Sequence, residues 1–359
     1  MNKLLLILFA AVSALASAVP AAAAQGTSTS RVTASVTAPA EASVPACDFI
    51  VAADGSGHFR TVQDAINAAP DYCKQAATVI YIKAGTYREK VIVPPSKQRL
   101  HLIGENAERT IITWGDYALK NGPTGYPMGT SATSTVFFHA DDFLVENLTI
   151  ENSSGEGKQI AQACAVTVDA DRIAFVNCRF IGNQDTIYTL GKGQHQYFKN
   201  CWIEGTTDFI FGASTCWFEN CTILCKKNSY ITAASTPESS VYGYVFNRCR
   251  ILHDGNATRC YLGRPWRKFA KTVYINCEMG DHILPEGWHD WNKPYAHSTV
   301  FYAEYGSTGP GAKGPRAEWA HRLKRSELGE YSVRKVMDAG TEEDKNGNQI
   351  PVEWFFKVF

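Results

Sequence analysis

The sequence predicts an all-β fold: a single-stranded parallel β-helix, a solenoid, closed at its N-terminal end by a short capping helix. Three observations carry this. A pattern of an aromatic residue, an Asn, a Cys and an apolar residue recurs between residues 143 and 279. The segments that bear it are β-branched, aromatic and alternating, with no long amphipathic helical pattern between them. One short helical pattern stands before the series, at residues 61–70.

Taken in order, the chain begins with Met1-Asn2-Lys3, an apolar run from Leu4 to Leu15, and small residues at Ala16-Ser17-Ala18 and Ala21 to Ala24. This is the layout of a secretory signal peptide over residues 1–24, cleaved after Ala18 or Ala24. The run is shorter than the roughly 20 residues of a membrane span. No later segment is apolar and long enough to cross a bilayer, so the mature protein is expected outside the cell and off the membrane. Residues 25–46 are rich in Ser, Thr, Ala, Pro and Val, with only Arg31 and Glu41 charged. They read as a disordered leader. A globular domain then fills 47–359.

The helical pattern follows. Thr61 stands before apolar residues at Val62, Ala65, Ile66 and Ala69, and Pro70 ends the run. That is a capped helix of one or two turns. A solenoid needs such a cap to cover its open end. A strand at residues 78–83 comes next, entering a turn at Ala84-Gly85.

The repeats begin at Phe143. Asn147, Asn177, Asn200, Asn220, Arg248 and Asn276 mark six equivalent positions, with steps of 30, 23, 20, 28 and 28 residues. Steps of this size indicate stacked repeats. Each is too short for a propeller blade and suits one β-helix turn. The Asn residues would stack in a turn and bond side chain to backbone along the axis. Cys, Phe and Ile would stack inward. Unequal steps put loops of different length on one face, where a cleft is expected.

Composition limits the function. Of 359 residues, 35 are Lys or Arg and 35 Asp or Glu, so the formal net charge is zero. A nucleic-acid binder usually carries a basic excess. The 11 cysteines, in a secreted chain, imply at least one disulfide and leave at least one free or intermolecular thiol. There is no CxxC pair, which argues against zinc.

Three segments between repeats hold polar residues that the architecture does not need: Gln162-Ala-Cys-Ala-Val166, Gly182-Asn-Gln184-Asp185-Thr-Ile-Tyr188 and Gly205-Thr-Thr-Asp208-Phe-Ile-Phe211-Gly212. Asp185 and Asp208 are 23 residues apart, one rung. Adjacent rungs are about 4.8 Å apart, so two carboxylates would face each other. Such a pair separates its pKa values, leaving one group protonated beside one ionised. Spacing alone leaves open that both are ordinary turn residues. Tyr261-Leu-Gly263-Arg264-Pro265-Trp266 adds an Arg suited to hold a carboxylate bidentately and a Trp with a flat stacking face.

With these motifs the sequence resembles the pectin methylesterases (pectinesterases), carbohydrate esterases on a right-handed parallel β-helix. The signatures are Gly85-Thr-Tyr87-Arg-Glu89, Gln162-Ala-Cys-Ala-Val166, Gln184-Asp185-Thr186, Asp208-Phe-Ile-Phe-Gly212 and Leu262-Gly-Arg264-Pro-Trp266, in family order. Gly287-Trp-His289 and Phe301 to Gly306 are also family-like. Cys164 and Val166 depart from the usual Val and Leu, while Gln162 is kept. The tail after Gly314 carries no motif.

The resemblance implies hydrolysis of the methyl esters of homogalacturonan to pectate and methanol, without metal or organic cofactor, by a monomer. It implies Asp208 as nucleophile, Asp185 as proton donor and then base, and Gln162 and Gln184 as oxyanion donors. Arg264 would orient Asp208. Thr135, Gln162, Tyr188, Phe211, Arg264 and Trp266 would bind substrate. Cys201 and Cys221 have the shortest repeat spacing, and the resemblance implies a disulfide at their positions. A pectate lyase or polygalacturonase has similar rungs. A lyase needs a calcium-binding acidic cluster, and Asp141-Asp142 is the only adjacent acidic pair in the repeats.

Overall fold

The computed structural model describes residues 45–73, 76–338, 340–343, 349–351 and 354. The expected signal peptide and nearly all of the leader lie outside the described residues. Among those described, strands gather into three parallel sheets of eleven, eight and seven strands, plus one antiparallel pair near the C-terminus. Through the repeats, successive strands fall in different sheets, and each pairs with its counterpart one rung away. Phe175 thus lies in register with Phe198, Phe198 with Phe218, Phe218 with Phe246, and Phe246 with Tyr274. This is the right-handed parallel β-helix expected.

The register builds an aromatic column through the core. Ring centroids of Phe175, Phe198, Phe218, Phe246 and Tyr274 follow at 5.0, 4.7, 4.4 and 4.4 Å, all stacked and buried. In the first repeat Val145, not Phe143, holds that position. Phe143 instead packs edge-on against Phe138 at 5.1 Å.

The Asn turns form the outer ladder. Asn147, Asn177, Asn200, Asn220, Arg248 and Asn276 all have φ between 52° and 57°. Asn tolerates this left-handed region better than most residues with a Cβ. The ladder bonds differ from the expectation. They run side chain to side chain, Asn177 Nδ2 to Asn147 Oδ1 at 3.2 Å, Asn200 to Asn177 at 3.3 Å and Asn220 to Asn200 at 2.8 Å. A left-handed turn on every rung leaves the amides parallel, so each finds the next amide first.

The Cys column does not cross-link. Cys201 and Cys221 are buried thiols, which corrects the expected bridge. Parallel in-register stacking satisfies the Cα separation for a disulfide but keeps the Cβ atoms about 4.8 Å apart too, outside the usual window of about 3.5–4.5 Å. Each thiol donates to a carbonyl one rung back: Cys178 to Val145, Cys201 to Phe175, Cys221 to Phe198, Cys249 to Phe218 and Cys277 to Phe246, at 3.4–3.5 Å.

The N-terminal cap is as expected. Helix Val62–Ala68 begins where Thr61 Oγ1 accepts from the Asp64 N–H at 3.1 Å, and buries Val62, Ala65 and Ile66. The Glu89 carboxylate accepts from the N–H groups of Val62 and Gln63 at 2.8 and 2.9 Å, meeting the first-turn donors a helix leaves open. The tail has a packing role. Leu323, Val336, Met337 and Trp354 cover the outer face of the eleven-stranded sheet over Tyr197, Trp217, Val245 and Val273.

Candidate active site

A cleft of about 440 Å³ opens over the seven-stranded sheet, lined by Thr130, Ser131, Gln162, Gln184, Asp185, Tyr188, Asp208, Phe211, Ala233, Arg264, Trp266 and Trp291. Its two carboxylates come from equivalent turns. Ile187 pairs with Ile210, two residues past Asp185 and Asp208, so the two aspartates sit on adjacent rungs. Asp185 N–H donates to Thr207 O at 3.0 Å and Asp208 N–H to Tyr230 O at 2.8 Å. Both have positive φ, 67° and 50°, so the chain kinks at each before entering its strand. The turn is tight. A Cβ on Gly205 would run into Phe209 and the Asn183 carbonyl.

Burial divides the pair. Asp185 and Asp208 are 8% and 6% exposed, and burial raises the pKa of both. Asp185 is pushed well above the carboxylate range, first by burial and then by the charge of Asp208. Asp208 rises too, but hydrogen bonds and charge from Arg264 pull against the effect of burial. Arg264 Nε donates to Oδ1 at 2.9 Å and Nη2 to Oδ2 at 2.6 Å. One acid is therefore disposed to stay protonated beside one held as carboxylate.

Arg264 is itself fixed from both sides. Its guanidinium lies 3.8 Å from the Tyr230 ring centroid and 3.6 Å from that of Trp291. Cation–π contacts of this kind strengthen when partly desolvated. Trp291 has φ 57°, and its N–H donates to His289 Nδ1 at 2.9 Å. The motifs do not point to Trp291 or Tyr230. The one signal is that Trp291 follows Gly287-Trp-His289 by two residues. Lys293 Nζ reaches the carbonyls of Pro265 and Trp266 at 3.1 and 3.0 Å, tying down that same segment.

Tyr188, Phe211 and Trp266 form an aromatic wall of the cleft. Tyr188 stacks on Phe211 at 4.3 Å, and Trp266 is tilted 5.9 Å from Phe211. Gln162 and Gln184 both reach the cleft, and Gln184 also bonds to Asp185. Cys164 joins Phe211 and Ala233 in the floor. The exception is Thr135, which does not line the cleft. It is fully buried, and its Oγ1 donates to Glu151 O at 2.7 Å. The N–H groups of Thr135 and Val136 share the Ala165 carbonyl. That local bulge turns Thr135 inward and leaves the rim to Thr130 and Ser131 of a 3₁₀ turn. Asp142, the other acidic position weighed, is paired with Arg172 at 2.7 Å.

The family described as Pectinesterase matches residues 48–340. Pectinesterase 31 of Arabidopsis thaliana is 40% identical over 296 residues, spanning 80% of this chain and 91% of that protein. Pectinesterase 4 of the same plant is 39% identical over 288 residues, 76% of this chain; there the chain spans about half of the relative's length, 47%. Among solved structures, the pectin methylesterase from carrot superposes with a TM-score of 0.76 at 32% identity, covering 83% of this chain and 95% of that one.

Proposed function

The chain belongs to the pectinesterase family, and from that membership and the cleft's geometry we propose that it hydrolyses the methyl esters of homogalacturonan through Asp208 and Asp185. The observation that carries the roles is the asymmetry of the two buried aspartates. Only Asp208 has an arginine fork, and only Asp185 is raised by a neighbouring carboxylate.

In the first half-reaction an Asp208 oxygen attacks the ester carbonyl carbon. The tetrahedral oxyanion takes hydrogen bonds from the Gln162 and Gln184 amides, donors whose individual loss typically costs about 10²–10³ in rate. The C–O bond to the methoxy group breaks, and Asp185 gives its proton to the departing oxygen, releasing methanol. An acyl-aspartate anhydride remains. Asp185, now ionised, takes a proton from water as that water attacks the acyl carbon. The anhydride C–O bond breaks, the galacturonic acid carboxyl leaves and gives water's second proton to solvent, and Asp208 is again a carboxylate beside a protonated Asp185.

Tyr188, Phe211 and Trp266 offer flat faces for the sugar rings. Arg264 and Lys293 favour a polyanionic chain. No helix among the described residues is long and apolar enough to cross a membrane.

The test is methanol release from highly esterified pectin. Asp208→Ala and Asp185→Ala should each abolish it while leaving β-rich circular dichroism unchanged. Near-normal turnover by the Asp208→Ala protein would sink the assignment.

A further inference from the structure

Away from the cleft, three side chains from three successive rungs meet at one buried corner. Cys225 ends the strand Thr222–Cys225. Cys260 precedes the strand Tyr261–Gly263, and His282 follows Glu278–Met279. Each is 1% exposed. Their Sγ and imidazole nitrogen atoms lie within 4.8 Å of one another. The backbone holds them there. Cys260 N–H donates to His282 O at 2.7 Å, and Leu284 N–H donates to Cys260 O at 2.9 Å.

His282 is the anomaly. Neither of its ring nitrogens has a hydrogen-bond partner, although both are buried. Buried polar atoms are nearly always satisfied, and an exception calls for an explanation such as an ion. A neutral imidazole nitrogen is a common metal ligand. The two thiols lie within 4.8 Å of each other, and that of Cys260 donates to Lys227 O at 3.3 Å. A disulfide between them would leave the imidazole as unsatisfied as before. A metal ion would bond both sulfurs and one of the two orphaned ring nitrogens.

We infer that Cys225, Cys260 and His282 form a structural zinc site that clamps three rungs of the helix. Two sulfurs and one imidazole are a donor set that zinc favours. Zn–S bonds of about 2.3 Å and Zn–N bonds of about 2.0 Å place tetrahedral ligands roughly 3.4–3.8 Å apart. From separations of up to 4.8 Å, the three donors need to draw in by no more than about 1.0–1.4 Å. Water takes the fourth position. On binding, the two thiols give up their protons to solvent and their sulfur lone pairs bond the ion, so each zinc releases up to two protons. The site stands apart from the cleft residues, and the inference does not rest on the proposed activity.

The full-length chain, reduced and stripped of loose metal, is incubated with zinc chloride, desalted and its metal content measured. About one zinc per chain should be retained. Cobalt(II) in its place should give near-ultraviolet thiolate-to-metal absorption. Cys260→Ser and His282→Asn should each lower retained zinc at least about tenfold. Cys249→Ser, equally buried but outside the cluster, should retain it. Wild-type zinc no higher than in Cys260→Ser overturns the inference. So does a Cys225–Cys260 disulfide recovered from the freshly purified protein by non-reducing peptide mapping. If Cys260→Ser does not give a folded spectrum, the wild-type cobalt spectrum decides, and absence of the thiolate band refutes the site.

Discussion

Replacing Arg264 with Gln removes the fork from a carboxylate that has almost no access to water. The side chains of Arg264 and Asp208 are 15% and 9% exposed, and two hydrogen bonds of 2.6 and 2.9 Å join them. Removing one partner of a buried pair costs about 3–5 kcal/mol. Asp208 escapes that cost by taking up a proton. At about 1.4 kcal/mol per pKa unit, its pKa should rise by roughly 2–4 units. The sign is fixed by the mechanism: Asp208 must be ionised to attack, so the acid limb of kcat moves up by that interval. At a pH on the limb the rate falls about 10²–10⁴-fold. Arg264→Lys keeps the charge but loses the fork and the stacking on Tyr230 and Trp291, so its limb should fall between the two. The assay is methanol release across pH, with circular dichroism on each protein. An acid limb that stays in place while kcat drops uniformly would refute the reasoning. A raised KM with an unmoved limb would reassign Arg264 to substrate binding.

The remaining predictions concern the other aspartate, the cleft wall and the Asn ladder. Asp185→Asn should stabilise the protein at neutral pH. Below the unfolded carboxyl pKa of about 3.9 both states are protonated. As pH rises from there toward the raised folded value, only the unfolded state ionises, so the wild type loses stability through that window. The gain should be near zero at pH 4 and then grow by about 1.4 kcal/mol per unit of upward shift, read from thermal melts at two pH values. Trp266→Ala should raise KM for galacturonan oligomers by about 3–10-fold with little change in kcat, if the ring contributes about 0.5–1.5 kcal/mol of stacking; an unchanged KM would make it a packing residue. Asn200→Ala should cost about 2–3 kcal/mol in urea unfolding, adding the left-handed backbone penalty to the lost amide bonds, whereas Asn200→Gly should cost about 1 kcal/mol. Equal losses would show that φ 53° is not the reason for Asn there.

What was legible in the sequence is what a local pattern can encode. An Asn followed by Cys and preceded by an aromatic, kept with single departures at Leu148 and Arg248, specifies a left-handed turn, an inward thiol and a core column. Stacking those copies follows because each buries its face only on the next. The short helix was legible from its Thr cap and apolar spacing. The paired aspartates were legible because their 23-residue separation matches one rung, and the family motifs named their neighbours.

Only the tertiary structure decided what depends on orientation or on meetings across rungs. Thr135 was expected in the cleft from the resemblance, but a shared carbonyl at Ala165 turns it into the core. Cys201 and Cys221 lie one rung apart, yet parallel Cβ atoms keep their sulfurs as thiols. Trp291 and Tyr230 are 61 residues apart and become partners only because Arg264 passes between them. Cys225, Cys260 and His282 are separated by 35 and 22 residues, too far for any spacing rule such as CxxC to join. A repeat fixes which residues point in or out along one rung. Loop lengths then set which side chains coincide at a corner, and a one-dimensional pattern does not carry that information.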